Sequence, residues 1–400
     1  MRRCPRVKKI YCLNRSADAR EKQTAASQQR GLAMDWEARQ VEFLHADLSK
    51  PLLGLDTDRY QALLAEVTDI IHNQWPVNFN WDLTSFEPSI AGVRRLIDFA
   101  LASKHGASLA YVSSVAVVHN LPPSPGAAAA EALLRVPLPA VDGYVASKHV
   151  SEMLLERAAC RSGSRASICR LGQIAGPVGA EYRQQGMWPK HEWFPTVRRF
   201  PPAQPSSLGA CFLRTKPGRP KILTSSRYLG LLPAEMGPIR LIDWIPVDVA
   251  ASVMADLAGL ATPAEDLGSG TTVPAKSEGG GVPNANGHAP PSVYHVSSPA
   301  AVEWTALAPV VARRLGASVR MVSWGEWMDA LRRSGRHVPG AKGALQNPAL
   351  KLLDFLESLS RGAEWPSLAV ERALEKSPAM ARLEPEYCGW INTWMDQWGF

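Results

Sequence analysis

A tyrosine and a lysine four residues apart, Tyr144 and Lys148, are the residues of this chain with the clearest chemical use. Four residues make about one helical turn, so a helix through this segment would place both side chains on one face. A free phenol has a pKa of about 10 and transfers protons poorly at neutral pH, and an adjacent ammonium group lowers that pKa. The pair therefore predicts a tyrosine acid whose pKa is lowered by a lysine.

A serine is expected beside this pair. The apolar run 109–112 ends in Ser113 and Ser114, which predicts a buried strand with a hydroxyl at its carboxyl end. A hydroxyl placed there can hold a substrate carbonyl oxygen. A Tyr-x-x-x-Lys pair taken alone is also typical of ordinary helix surfaces, so its interpretation depends on the elements around it.

The elements that must position these residues alternate between strands and helices. The alternation predicts an α/β fold with a Rossmann-like, doubly wound parallel sheet, because helices of this kind connect parallel strands. Predicted strands cover 7–13, 41–45, 68–72, 109–114 and 166–171, and predicted helices cover 18–36, 58–66, 86–104 and the segment that carries Tyr144 and Lys148.

Composition and charge argue against several other classes of protein. No run of about 18 apolar residues or signal core is present, so a soluble, cytoplasmic protein is expected without a membrane partner. The net charge of +7 comes mainly from six basic residues within 198–224, so no nucleic-acid partner is expected. The six cysteines have no zinc-site spacing, so no metal site is expected.

The loop after the predicted strand at 68–72 narrows the family. Residues 72–81 read His-Asn-Gln-Trp-Pro-Val-Asn-Phe-Asn-Trp, residues 170–176 read Arg-Leu-Gly-Gln-Ile-Ala-Gly, and residues 242–248 read Ile-Asp-Trp-Ile-Pro-Val-Asp. With the Tyr-x-x-x-Lys motif, these segments resemble the terminal thioester reductase domains of fungal nonribosomal-peptide-synthetase-like enzymes, relatives of aminoadipate reductase. These domains belong to the extended short-chain dehydrogenase/reductase superfamily, and the resemblance covers nearly the whole chain.

The resemblance implies NADPH-dependent reduction of an acyl thioester, carried on the phosphopantetheine arm of a carrier domain, to an aldehyde or alcohol in secondary metabolism. In the triad of this family, Ser114 would donate a hydrogen bond to the oxyanion, Tyr144 would protonate it, and Lys148 would bind the nicotinamide ribose. The resemblance places the cofactor contacts at Arg15, Asp47, Leu48, Asn73, Gln74, Lys148, Gly172, Gln173 and Ile174.

Two of these cofactor positions have a second interpretation. Arg15 matches the place where family members bind the 2′-phosphate of NADPH, and its forked donors suit a phosphate, but it is also compatible with a surface arginine. Asp47 matches the adenine side of the cofactor site and is equally compatible with a turn or a helix cap. The sequence leaves both choices open.

One part of the family pattern is not found in the sequence. Dinucleotide-binding sheets normally cradle the pyrophosphate in a glycine-rich turn after the first strand, and only Gly31 and Gly54 precede residue 90. The resemblance places residue 1 before the second strand of the family, so an amino-terminal truncation that removes the first strand and the glycine loop is expected. Three interpretations stay open: a thioester reductase, a free-standing reductase of a small carbonyl compound, and a truncated, non-catalytic remnant.

Composition predicts a division into three regions. An NAD(P)-binding Rossmann-like domain is expected at 1–260, a low-complexity linker at 261–292, and a return strand with a smaller, mostly helical substrate domain at 293–400. Within the first region, the basic and proline-rich residues 197–224 predict a disordered insert. Tryptophans at 390, 394 and 398 predict a final helix packed into a core.

Overall fold

The computed structural model divides the chain into two compact units. Unit 1 contains Met1–Ile174, Val247–Pro299 and Pro366–Leu383, and unit 2 contains Ala175–Pro246, Ala300–Trp365 and Glu384–Phe400. Both units combine segments that are distant in sequence, whereas the predicted division is contiguous. The structure describes residues 6–38, 40–119, 121, 127–135, 138, 142–179, 188, 222–237, 239–260, 287–337, 347–353, 356–357 and 365–400.

Strands and helices alternate through most of the described chain. The strands are β1 Ile10–Asn14, β2 Val41–His45, β3 Asp69–His72, β4 Ser108–Ser114, β5 Ala166–Leu171, β6 Ile174–Ala175, β7 Leu231–Pro233, β8 Leu241–Ile242, β9 Ile245–Pro246, β10 Ser292–Val296, β11 Val302–Glu303 and β12 Arg320–Val322. The helices are α1 Ala19–Gln29, α2 Thr57–Glu66, α3 Glu87–Ala102, α4 Ala116–His119, α5 Gly143–Ser162, α6 Ile222–Leu229, α7 Val247–Leu257, α8 Trp304–Leu315, α9 Trp324–His337, α10 Glu371–Lys376, α11 Pro378–Ala381 and α12 Tyr387–Trp398.

Unit 1 contains the predicted parallel sheet. Strands β10, β5, β4 and β3 pair in that order, all parallel, and β1 pairs with β2 in a separate parallel ladder. Buried side chains of α3 and of the sheet form the core, among them Val93, Leu96, Leu109, Tyr111 and Ile168. Side chains of β1 and β2 pack against this core, so both ladders belong to one hydrophobic unit.

Several predicted boundaries move in the structure. Helix α1 ends at Gln29 and not near Trp36, because Gly31 takes a left-handed conformation (φ 60°) that ends the helix there. Of the predicted insert at 197–224, residues 197–221 lie outside the described residues, and the last three begin α6. Most of the predicted linker, residues 261–286, also lies outside them.

Unit 2 has its own aromatic core. The ring centroid of Trp188 lies 5.2 Å from that of Trp244 and 5.0 Å from that of Trp394, and the Trp394 indole N–H donates to the Pro177 carbonyl at 3.3 Å. Trp390, Trp394 and Trp398 are all buried on α12, which confirms the prediction that these tryptophans pack into a core. In the described part of the chain, no helix has both the length and the apolar composition needed to cross a membrane.

Candidate active site

Ser114, Tyr144 and Lys148 lie together at the carboxyl edge of the unit 1 sheet. Ser114 is the last residue of β4, opposite Leu171 at the end of β5, and α5 carries Tyr144 in its first turn. The Ser114 hydroxyl lies close enough to the Tyr144 phenol to lower its pKa, and the Lys148 Nζ lies 6.0 Å from the centroid of the Tyr144 ring. The structure therefore brings the three predicted side chains to one place, as the order of strand, loop and helix suggested.

The first turn of α5 is fixed by two local features. The Asp142 carboxylate accepts a hydrogen bond from the Val145 backbone N–H at 2.9 Å, which caps the helix. Gly143 packs directly on backbone: a Cβ built there would lie 2.3 Å from the Asp82 carbonyl carbon and 2.4 Å from the Trp81 oxygen. A glycine is therefore needed next to Tyr144, because loop 81–83 occupies the space of a side chain.

Lys148 is buried, and its ammonium group lies among aromatic rings. Nζ donates to the Val112 carbonyl at 2.7 Å and lies 4.3 Å from the Trp75 ring centroid and 4.9 Å from that of Tyr111. Burial lowers the Lys148 pKa to about 7, while the Glu152 carboxylate one turn further along α5 raises it. Near neutral pH this lysine is therefore close to its own titration point.

The pKa of Tyr144 moves in the direction opposite to the sequence prediction. Burial raises the pKa of the phenol, the hydrogen bond with Ser114 lowers it, and the Asp142 carboxylate raises it. The prediction assumed that the lysine charge dominates, but the Lys148 ammonium group is itself desolvated and donates to a backbone carbonyl. In this structure Tyr144 is a protonated phenol at neutral pH, which is the form that an acid catalyst requires.

A buried ion pair joins α5, the helix that carries Tyr144 and Lys148, to the sheet. Arg170 of β5 donates to Glu152 of α5 through Nε at 3.0 Å and Nη2 at 2.6 Å, and both side chains are almost fully buried. The Ser113 hydroxyl donates to the same carboxylate at 2.5 Å. On the other side, Arg170 Nη1 contacts His295 Nε2 at 3.3 Å. Glu152 thereby connects the helix that carries Tyr144 and Lys148 to strands β4, β5 and β10.

The predicted cofactor positions lie at the ends of the strands. Arg15 follows β1 and is exposed. The pKa of the Asp47 carboxyl is lowered, mainly by a hydrogen bond from Ser49 and to a smaller extent by the Arg15 charge. Asp47 Oδ1 accepts from the Ser49 N–H at 3.0 Å and from its hydroxyl at 2.7 Å. Asp47 therefore forms a turn, and Leu48 packs partly into the core.

The other predicted cofactor residues follow β3 and β5. Asn73 and Gln74 are exposed directly after His72. The Gly172 N–H donates to the Val296 carbonyl at 3.0 Å, and a Cβ at Gly172 would lie 2.1 Å from the Ser297 hydroxyl. The Gln173 amide donates to the Ile174 carbonyl at 2.9 Å.

The described residues fit a dinucleotide in part. The exposed polar side chains at the ends of β1 and β3 have donors of the kind that could contact a ribose or a 2′-phosphate. Within the described ranges, however, no glycine-rich turn joins a strand of the parallel sheet to a helix in the way that cradles a pyrophosphate. No group of His, Cys, Asp or Glu in the same ranges could hold a metal ion.

The sequence matches a known family over more than half of its length. The model of the NAD-binding family described as "Male sterility protein" matches residues 1–254. The chain belongs to this family. The match confirms the predicted link to the extended short-chain dehydrogenase/reductases and to a nicotinamide cofactor.

Individual relatives support the same assignment. The chain is 33% identical over 400 residues to a carboxylic acid reductase of Neurospora crassa, covering 99% of this chain and 33% of that protein. It is 27% identical to the adenylate-forming reductase Nps10 of Heterobasidion annosum, covering 88% of this chain and 27% of that protein. The chain thus spans a third or less of the length of these relatives, and the predicted resemblance to reductase domains of such enzymes is confirmed.

A solved structure shows the same fold. The terminal R domain from the myxalamid PKS-NRPS biosynthetic pathway has a TM-score of 0.69 and 22% identity, covering 98% of this chain and 84% of that one. The predicted Rossmann-like α/β fold with a parallel sheet is therefore confirmed. The family match and the relatives named as reductases support an oxidoreductase.

The sequence interpretation missed two kinds of contributor to the site. The rings of Trp75 and Tyr111 contact the Lys148 ammonium group. The buried ion pair between Glu152 and Arg170 joins helix α5, which carries Lys148, to strand β5. Glu152 continues the four-residue spacing of Tyr144 and Lys148, so the helix pattern was a usable signal for it. The positions of Trp75 and Arg170 depend on the packing of separate strands and loops.

Proposed function

We propose that this chain catalyses the NADPH-dependent reduction of a carrier-bound acyl thioester to an aldehyde. The observation that carries the proposal is the meeting of Ser114, Tyr144 and Lys148 at the carboxyl edge of a parallel sheet. In sheets of this kind ligands bind outside the carboxyl ends of the strands. The triad therefore lies where a dinucleotide and a carbonyl substrate would meet.

The chemistry follows from the protonation states of the three side chains. A bound nicotinamide would supply the hydride to the thioester carbonyl carbon. The protonated Tyr144 hydroxyl would donate its proton to the developing oxyanion, and the Ser114 hydroxyl would donate a hydrogen bond to the same oxygen. Cleavage of the carbon–sulfur bond of the resulting hemithioacetal then releases an aldehyde and a free thiol. A second reduction would give the alcohol.

The choice of NADPH over NADH rests on Arg15. Its exposed guanidinium group follows β1 at the end of the sheet, where a 2′-phosphate would be bound by its forked donors. Asp47, the nearest acid of the predicted site, is engaged with Ser49. A phosphate therefore has an available cation at this position, whereas an unmodified ribose would gain little from it.

The carrier-bound substrate is proposed from the relatives. The matched region corresponds to a part of longer enzymes named as carboxylic acid and adenylate-forming reductases, and the similar fold is that of a terminal R domain in a PKS-NRPS pathway. A substrate attached to a phosphopantetheine arm reaches such a domain from a neighbouring carrier. A small acyl thioester would serve as its soluble substitute.

The pyrophosphate cradle is the part of the site that the described residues do not provide. A chain that lacks this cradle would bind NADPH weakly, and the non-catalytic interpretation would then apply.

Turnover with acyl-pantetheine thioester and NADPH tests the proposal. We expect Tyr144→Phe to reduce the rate by about 10²- to 10⁴-fold, because the general acid is removed while the ring contacts are kept. Tyr60→Phe is the matched control, since Tyr60 packs edge-on against Phe99 in the core and is not in the triad. Equal rates for Tyr144→Phe and the unmodified chain would refute the assignment.

Two further measurements separate the alternatives. Calorimetric titration with NADPH, done before any turnover assay, decides whether the chain binds the cofactor; no binding at millimolar concentration supports the non-catalytic remnant. Comparing a thioester with the corresponding free aldehyde distinguishes the other two interpretations. A free-standing carbonyl reductase would reduce only the aldehyde, whereas a thioester reductase would accept the thioester.

A further inference from the structure

The ammonium group of Lys148 is held by contacts from strand β4 and from the loop that follows β3. The Val112 carbonyl of β4 accepts its hydrogen bond at 2.7 Å, and the ring centroids of Trp75 and Tyr111 both lie within 5 Å of Nζ. Cation–π attraction is strongest with tryptophan, and it increases when the cation is desolvated. Lys148 is only 3% exposed, so its ammonium group is desolvated and its attraction to the two rings is strengthened.

Trp75 is also bonded to the turn of α5 that carries Tyr144. Its indole N–H donates to the Ser147 hydroxyl at 3.2 Å, and that hydroxyl donates to the Tyr144 carbonyl at 2.7 Å. Trp75 also reaches Tyr144 through a second ring. It stacks on Phe86 with an interplanar angle of 11°, and the centroid of the Phe86 ring lies 6.3 Å from that of Tyr144. Trp75 therefore contacts the Lys148 ammonium group directly, and it contacts Ser147 and Phe86, which lie against Tyr144.

We propose that Trp75 is a positioning residue that holds the Lys148 ammonium group and the first turn of α5 in their working arrangement. Its ring stabilises the cation, and its N–H fixes the turn through Ser147. The proposal rests on the proposed function in one respect only, since it assigns a purpose to the position of Lys148. The contacts themselves are independent of any substrate.

The charge of Lys148 is the quantity that a test should follow. Four titratable groups face it: His72 at the end of β3, Tyr111 on β4, and Tyr144 and Glu152 on α5. Burial works against the charged form, and Glu152 and the aromatic rings favour it. Removal of the Trp75 ring should therefore lower the pH at which Lys148 loses its proton.

The experiment is the pH dependence of Lys148 acetylation by acetic anhydride, followed by mass spectrometry, with the exposed Lys104 as an internal reference. We expect Trp75→Leu to shift the midpoint downward by about one pH unit. Trp75→Phe keeps an aromatic ring and should shift it by less than half as much. Trp36→Leu is the matched control, since Trp36 also donates its indole N–H, to Thr24, and contacts one ring, that of Phe43.

The outcomes are distinct from those of the turnover assay. A midpoint for Trp75→Leu within about 0.2 of the unmodified protein overturns the proposal, as does an equal shift with Trp36→Leu. If Trp75→Leu does not fold, Trp75→Phe and Ser147→Ala decide: unchanged midpoints in both overturn the proposal, and a shift in either supports it. A shifted midpoint in a chain that reduces no thioester supports the positioning role and refutes only the proposed function.

Discussion

Glu152 and Arg170 form a bidentate ion pair in the core of unit 1, one helical turn beyond Lys148. The Glu152 carboxylate also accepts a hydrogen bond from the Ser113 hydroxyl, and the Arg170 guanidinium group contacts His295. Four secondary-structure elements therefore share one set of charges with little access to water. Charges of this kind are costly to bury and more costly to leave unpaired.

Glu152→Gln should destabilise the protein strongly. The substitution leaves the buried Arg170 without a counterion, and breaking a buried pair in this way costs about 3 to 5 kcal/mol of the free energy of unfolding. Urea unfolding at pH 7.5 measures the loss. The control is Asp98→Asn, which breaks the exposed Arg94–Asp98 pair of α3 and should cost less than about 1 kcal/mol. Similar losses for both variants would contradict this interpretation of the pair.

Gly143→Ala should disturb the site through a steric clash. The new methyl group would overlap the backbone of Asp82 and Trp81, and overpacking of this kind costs about 1 to 3 kcal/mol. Loop 81–83 or the first turn of α5 must then move, so the proposed Tyr144-dependent rate should fall as well. Gly325→Ala in α9 is the control, because its nearest neighbouring atom is 4.0 Å away. Wild-type unfolding and turnover for Gly143→Ala would disprove the close packing.

Acidification should destabilise unit 1 through histidines that the fold keeps neutral. Burial lowers the pKa of His72 and that of His119 to about 4, and burial together with the Arg170 charge lowers that of His295 to about 3. Between these values and 6.5 the unfolded chain binds protons that the folded chain excludes, so stability is complete above pH 7 and falls as the pH drops. Each histidine should contribute a loss of about 1.4 kcal/mol by pH 5.5.

Denaturant unfolding at pH 7.5, 6.5 and 5.5 tests the histidine prediction. The His295→Gln variant should lose less stability over this range than the unmodified protein, because one of the histidines that the fold keeps neutral has been removed. The exposed His45→Gln variant should keep the full pH dependence. Parallel curves for the unmodified protein and His295→Gln would show that His295 is not kept neutral by the fold.

Arg15→Ala should weaken NADPH binding selectively. Loss of charge-assisted hydrogen bonds to a 2′-phosphate corresponds to about a 10- to 100-fold rise in the dissociation constant, whereas NADH lacks that phosphate and should bind almost unchanged. Titration calorimetry with both cofactors provides the comparison. Arg30→Ala, at the far end of α1, removes the same charge and should affect neither cofactor. An equal effect of Arg15→Ala on both dinucleotides would place the 2′-phosphate elsewhere.

The sequence alone was sufficient for most of the elements of unit 1. Strand β2 and strand β5 begin and end at the predicted residues, because apolar runs bounded by polar residues reflect local burial. The spacing of Tyr144 and Lys148 placed both on α5 for the same reason. The predicted end of α1 near Trp36 was wrong, because Gly31 ends a helix that the polar sequence pattern would have continued.

Other features depended on the tertiary structure, because they join residues that are far apart in sequence. Sequence spacing gave Lys148 a partner in Tyr144, but strand packing placed its ammonium group against the Val112 carbonyl and the rings of Trp75 and Tyr111. Desolvation at that place reversed the predicted direction of the Tyr144 pKa. The sequence by itself determined which groups are available for chemistry and on which elements they lie, since these follow from local pattern. Only the fold determined their surroundings and hence their protonation, since burial and electrostatics are set by every element that packs around them.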